Sequence, residues 1–222
     1  MFDFLEGYDV LGAFWTTVQL TVFSALGSLV LGTLLAAMRV SPVPLMRGFG
    51  TAYVNIVRNI PLTVIVVFAS LGLADIFGAT MGAPDNFDTQ DFRLAVLGLV
   101  GYHAAFVCEA LRSGINTVPA GQAEAARAIG LSFSQVLRLI VLPQAFRAVI
   151  GPLANVLIAL TKNTTVAAAI GVAEAAALMK EMIENEAQTV AIAAVFAFGF
   201  VVLTLPTGLF LGWLSKRLAV KR

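Results

Sequence analysis

Charge is what this sequence has least of. Only 12% of its 222 residues are Asp, Glu, Lys or Arg, about half the share of an ordinary soluble domain. So few charges cannot clothe a water-facing surface. One cysteine, Cys108, excludes an intrachain disulfide and a metal centre built on cysteines; set in an apolar helix, it reads as a small packing residue. One histidine, His103, has no second ligand at metal spacing and reads as a satisfied interior histidine. No G-x-x-x-x-G-K-[ST] stretch occurs, so the chain has no phosphate loop with which to hydrolyse ATP. The net charge of +1 and the lack of a basic run give no reason to expect a nucleic-acid partner. The start, "MFDFLEGYD", carries acids where a secretory signal needs positive charge, and no cleaved signal is expected.

What is present is hydrocarbon. Hydrophobic residues make up 59% of the chain and the mean hydropathy is +0.91, which fits an integral membrane protein. The apolar runs approach the roughly 20 residues that a helix needs to cross a bilayer, so the expectation is an all-α fold in a single transmembrane domain, 1–222. Five spans are read at 14–38, 54–76, 94–111, 145–161 and 190–214. The alanine-rich stretch 164–179 is too short and carries Glu174, which suits a re-entrant or surface helix better than a sixth span.

Charge placement tests that count. With five spans, one side holds Arg39, Arg47, Arg58, Arg112, Arg127, Arg138, Arg147, Lys216, Arg217, Lys221 and Arg222, which is 11 of the 14 basic residues. The other side holds Arg93, Lys162 and Lys180, with most of the acids: Asp3, Glu6, Asp9, Asp75, Asp85, Asp88, Asp91, Glu174, Glu181, Glu184 and Glu186. By the positive-inside rule the N-terminus is expected outside and the C-terminus in the cytoplasm. Adding or removing one span would scramble this segregation.

Polar groups within the spans mark places that face other helices or a cavity. Thr17, Thr21, Ser24 and Ser28, spaced 4, 3 and 4 residues apart, share one face of span 1; close helix packing and a pore lining both fit such a face. Pro61, Gly151, Pro152 and Pro206 interrupt spans 2, 4 and 5. Glu109 lies three residues before Arg112, a spacing that permits a local ion pair. Lys162 ends span 4, where it either snorkels to the interface or faces a polar cavity.

Between spans 3 and 4, within a basic loop at 112–144, runs "EAARAIGLSFSQVLRLIVLP". A helix from about Gln122 to Ile129 should end at Gly130 in a left-handed cap, and a second should begin at Ser132 as N-cap and run into Pro143. Two short helices joined at a glycine make an L-shaped projection suited to a groove on another protein. An amphipathic helix lying on the bilayer is the alternative.

The spacing Glu124-Ala125-Ala126, three residues, Gly130, nine residues, Ile140-Val141-Leu142-Pro143 resembles the EAA loop of importer-type ABC transporter permeases. Around it, "CEALRSGINTVPAGQAEAARAIG", "LPQAFR" and "GPLANVLIALTKNT" are similar to the polar amino acid uptake family in particular. The resemblance covers roughly 14–215 and is strongest over 101–174. It implies the type I ABC importer permease fold. It also implies that Glu124, Ala125, Ala126 and Gly130 dock on a cytoplasmic ATPase, with Leu142 and Pro143 returning the chain to the membrane. No cofactor is expected in this chain; ATP and magnesium would be bound by the partner ATPase, present in two copies. Five helices hardly enclose a pathway alone, so a second permease chain, a paralogue or an identical copy, is expected, with an external amino acid binding protein and the lipid of a prokaryotic cell membrane as further partners.

The same resemblance suggests where substrate passes: Arg58 and Pro61 in "RNIPL", and Lys162, Asn163, Thr164 and Thr165 in "KNTTV". Both stretches depart from the commonest family wording, Arg-Gly-Thr-Pro and Lys-Asp-Thr-Ser. Asn163 stands where an acid is usual, which makes the neighbourhood more positive and favours an anionic substrate over a cationic one. Glutamate or aspartate is the expectation and glutamine the alternative, unless these positions only pack or cap helices. An ion-coupled secondary transporter is a more distant reading, since no internal repeat is visible.

Overall fold

The computed structural model describes residues 5–76 and 87–218. Asp3, Asp85, Lys221 and Arg222 of the charge pattern lie outside the described residues, as do the side chains of Asp75 and Asp88. The described chain is all-α, as its composition demands: with no water in hydrocarbon to satisfy backbone groups, the helix satisfies them within itself.

Helix α1, Val10–Val40, opens with the Asp9 carboxylate accepting the Gly12 amide N–H at 2.8 Å. It lies along α4, Phe87–Asn116, through a seam of small residues. A side chain in place of Gly27 would strike Val100, and one at Gly32 would strike Val107 and the Ala104 carbonyl, at 2.6 and 2.8 Å. Glycine there lets two backbones approach within van der Waals contact, the usual source of helix affinity in lipid. Of the polar stripe of α1, Thr17, Ser24 and Ser28 are buried and Thr21 is half-buried, and the Thr17 hydroxyl accepts from the Ala175 N–H at the start of α8 at 3.2 Å. Cys108 is buried in the same interior, with Leu35, Ala36, Val54, Ala104 and Ala105.

The expected second span, 54–76, is not one helix. Helix α2, Pro44–Arg58, stops at Asn59, and α3, Leu62–Val67, restarts at Pro61 and continues as a π-helix over Phe68–Ile76. The chain bends by 108° between the two arms. Pro61 supplies no N–H and its ring drives Ile60 out of the helical region, so the break falls where the chemistry of the dipeptide puts it. Four helices are long and apolar enough to cross a membrane, and the bent pair makes a fifth crossing if it is one span.

The expected fourth span, 145–161, belongs to a longer rod. Helix α5, Ala120–Ala128, is followed by α6, Phe133–Val136, a π-helical turn over Leu137–Val141, and α7, Leu142–Asn163. Pro143 therefore does not close the second arm, as the sequence suggested. The π turn immediately before it lets the Leu142 N–H reach back to the Leu137 carbonyl, so the chain passes the proline without leaving the helix.

The stretch 164–179, expected as one helix, is divided. A 3-10 helix over Thr164–Ile170 ends at Gly171 with φ of 91°, and α8, Ala175–Asn185, starts anew with Glu174 as N-cap. Glu174 accepts from the Ala176 and Ala177 N–H groups at 2.9 and 3.0 Å. Helix α9, Thr189–Leu218, completes the fold; its Phe196 stacks on Phe14 of α1 with ring centroids 5.6 Å apart.

Candidate functional site

Two places stand out from plain apolar packing: a capped loop at one end of the bundle and a largely apolar cleft between α4 and α7 that carries a histidine and two asparagines. The loop is built by α5. Its helix ends in a Schellman arrangement, with the Gly130 N–H donating to the Arg127 carbonyl at 2.9 Å and the Leu131 N–H to Ala126 at 3.1 Å. Gly130 has φ of 92°, a conformation that costs an L-residue about 1–2 kcal/mol. The chain then re-enters helix through a capping box: the Ser132 N–H donates to Gln135 Oε1 at 2.8 Å while the Gln135 N–H donates to Ser132 Oγ at 3.4 Å. Gln144 Nε2 bridges the arms by donating to Gln122 Oε1 and to the Ile140 carbonyl, both at 2.8 Å.

Within this loop Glu124, Ala125 and Gly130 are exposed, and a side chain added at Gly130 would meet nothing within 4 Å. Ala126 differs from its neighbours. It is buried, so its methyl supports the loop from inside rather than belonging to the outer face. Leu142 and Pro143 are exposed at the start of α7. A groove of about 460 Å³ separates the end of α4 from α5 and the π turn, lined by Ile115, Val118, Pro119, Ala123 and Val141 among others.

The cleft has a volume of about 350 Å³ and is lined by Tyr102, His103 and Phe106 of α4 and by Asn155, Val156, Ala159 and Asn163 of α7. His103 is 2% exposed. Its Nδ1 lies 3.0 Å from the Leu99 carbonyl and its Nε2 lies 3.2 Å from Asn163 Nδ2. Of the six residues that the sequence put on the substrate path, Asn163 alone lines this cleft. Arg58 stands beside it, its guanidinium carbon 5.6 Å from the Phe106 ring centre. Pro61 sits on the bend between α2 and α3. Lys162 is exposed at the end of α7. Thr164 is buried and donates to the Thr161 carbonyl at 2.8 Å, and Thr165 donates to Lys162 at 2.8 Å, so both hydroxyls are engaged in their own helical turn.

Glu109 does not take the partner that its spacing suggested. It pairs with Arg39 of α1 and approaches Arg58 of α2 at 4.0 Å, which joins three elements through one carboxylate. Arg39 is largely buried, its side chain 8% exposed, whereas that of Arg58 is 45% exposed. Two guanidiniums against one carboxylate leave this junction with a net positive charge, and Arg58 carries it beside the cleft rather than within its lining.

Sequence reasoning missed Tyr102, Phe106, Asn155 and Arg39. A signal for three of them was present: Asn155, Ala159 and Asn163 recur every four residues, as do Tyr102 and Phe106, so each set marks one face of its helix. Nothing local marked Arg39, because its partner is 70 residues away.

Four helices of bilayer length and a bent pair that makes a fifth crossing if it is one span define a multi-pass membrane protein. The chain belongs to the family described as binding-protein-dependent transport system inner membrane component, which matches residues 28–220. Among curated relatives, the glutamate transport system permease protein GluC of Corynebacterium efficiens is 56% identical over 220 residues, covering 97% of this chain and 96% of its own. The GluC protein of Corynebacterium glutamicum is 54% identical over the same shares. The probable glutamine ABC transporter permease protein GlnM of Bacillus subtilis is 34% identical, over 98% and 96%. Among solved structures, an amino acid ABC transporter crystallised with histidines superposes with a TM-score of 0.83 at 25% identity, covering 94% of this chain and 93% of that one. The chain is thus a multi-pass permease subunit of the cell membrane, not an enzyme.

Proposed function

We propose that this chain is half of the translocation pathway of an ATP-driven importer of acidic amino acids, glutamate first. The observation that carries the substrate is the near full-length identity of 56% and 54% to two permeases named for glutamate transport. The surplus arginine at Glu109 supports it, since a pathway with net positive charge attracts an anion and repels a cation. A neutral amino acid such as glutamine is the second reading, favoured by the uncharged amides of Asn155 and Asn163 in the cleft.

In this reading the N-terminus is outside, and the α5 loop lies in the cytoplasm among most of the basic residues. Two copies of an ATPase subunit, which alone bind ATP and magnesium, engage two permease chains, this one and a paralogue or second copy. Glu124, Ala125 and Gly130 meet the ATPase, with Ala126 behind them. The Gln144 bridge and the uninterrupted passage through Leu142 and Pro143 carry the push into α7, one wall of the cleft. Closure of the ATPases then shifts the population between outward and inward openings, and a loaded external binding protein biases it through its differing affinity for the two states.

The test is reconstitution of the chain with its ATPase, second permease and binding protein, followed by a screen of amino acids for stimulation of ATP hydrolysis. Glutamate and aspartate are expected to stimulate most. A second arm replaces Gly130 with Trp: ATP-driven uptake that is unchanged in Gly130→Trp contradicts docking through this loop.

A further inference from the structure

His103 is buried in the cleft wall, yet the transport reading gives it no task. Its geometry fixes more than its own position. The Leu99 carbonyl at 3.0 Å can only accept, so Nδ1 carries a proton and donates to it. A ring 2% exposed among Tyr102, Phe106 and the apolar helix interior is held neutral, since a buried unpaired cation is costly. Nε2 therefore bears a lone pair and accepts from Asn163 Nδ2 at 3.2 Å. That bond decides which way the Asn163 amide faces. With Nδ2 drawn to the histidine, Oδ1 is turned away from it.

We propose that His103 is a positioning residue that orients Asn163 so that its carbonyl oxygen, not its amino group, is offered to the cleft as an acceptor for the ammonium of an amino acid. The proposal rests on the transport reading of the cleft. Glutamate presents two carboxylates and one ammonium; the exposed guanidinium of Arg58, beside the cleft on the Phe106 ring, answers the first, and an oriented carbonyl answers the second without restoring a negative charge. The opposite tautomer would donate from Nε2, reverse the amide and present two N–H donors to an ammonium that needs an acceptor.

The chain's single histidine makes the test direct, because ¹⁵N-histidine labelling of the full chain in lipid bilayers yields one pair of ring signals. The expected spectrum shows Nδ1 protonated and Nε2 unprotonated, with the Nε2 signal shifting in Asn163→Ala as its donor is lost. A proton on Nε2 overturns the proposal. In the complete transport complex, His103→Phe is expected to lower glutamate uptake about five- to tenfold, the worth of one oriented hydrogen bond. His103→Gln, which keeps a donor and an acceptor, should recover most of it. Added to Asn163→Ala, His103→Phe should cost less than about a further twofold, because it acts through the missing amide. Full multiplication of the two losses, at matched thermal stability, assigns His103 a packing role and overturns the proposal. If Asn163→Ala itself leaves uptake unchanged, the transport reading of the cleft falls with it, whatever the spectrum shows. If Asn163→Ala is impaired and His103→Phe is not, only the positioning role falls.

Discussion

Two of the chain's carboxylates, those of Glu109 and Glu174, are held in opposite ways. Glu109 of α4 is met by charge: the guanidiniums of Arg39 from α1 and Arg58 from α2 converge on it. Glu174, at the head of α8, is met by dipoles: two backbone N–H groups and the Thr17 hydroxyl, 3.3 Å from Oε2, with no cation paired to it among the described residues. The first arrangement joins elements distant in sequence. The second finishes a helix and ties its start to α1. A carboxylate in a membrane protein can thus serve as a junction or as a cap, and its partners, not its depth, tell the two apart.

The largest test of this contrast is Glu109→Gln. It leaves two guanidiniums facing each other without a counter-charge, and we expect a loss of about 2–4 kcal/mol, toward the lower end because Glu109 keeps some solvent contact. Thermal unfolding in lipid reads it out. A smaller loss than for the same change at Glu174 would reverse the comparison.

At Glu174 the two substitutions should separate. Glu174→Ala removes the N-cap and should cost about 1–2 kcal/mol, whereas Glu174→Gln keeps an oxygen for the amides and should cost a few tenths. Equal losses from both would show that charge, not acceptor geometry, matters there. Acidity gives a third comparison. Burial holds the Glu174 carboxyl above its ordinary value of 4.5, against the opposing pull of the Ala176 and Ala177 N–H groups and Thr17. Between 4.5 and that raised value the folded state binds more protons than the unfolded one, so stability from this group falls as pH rises through the window. Below 4.5 its contribution is level. The slope should vanish in Glu174→Gln, and a slope of the other sign would contradict the assignment.

The smallest expected effect is at Arg112, the neighbour that helical spacing offered to Glu109. Since Glu109 turns to Arg39 and Arg58, Arg112→Ala should change stability by less than about 0.5 kcal/mol. A loss as large as that of Arg39→Ala would restore the local pair.

The same residues show how far the sequence could be read. Apolar length located α1, α4, α7 and α9 to within several residues, because hydrocarbon thickness imposes it. Gly130 and Ser132 foretold their caps, since left-handed φ and a capping hydroxyl are local chemistry. The prolines were harder. Pro61 breaks its helix by 108° and Pro143 does not break its own, and the difference lies in the π turn that immediately precedes Pro143 and has no counterpart before Pro61. Asn163 was singled out, but the cleft around it was not, because which faces of α4 and α7 meet depends on how the two helices are rotated against each other. No single helix records that rotation.

Competition for uptake tests the central claim most directly. Proteoliposomes holding this chain with its second permease and ATPase, supplied with the binding protein, take up labelled glutamate when ATP is inside reach of the ATPase. Aspartate in excess should suppress that uptake strongly, glutamine less, and arginine or lysine hardly at all. Arginine or lysine outcompeting glutamate would contradict the account of a positively charged pathway built for an acidic amino acid.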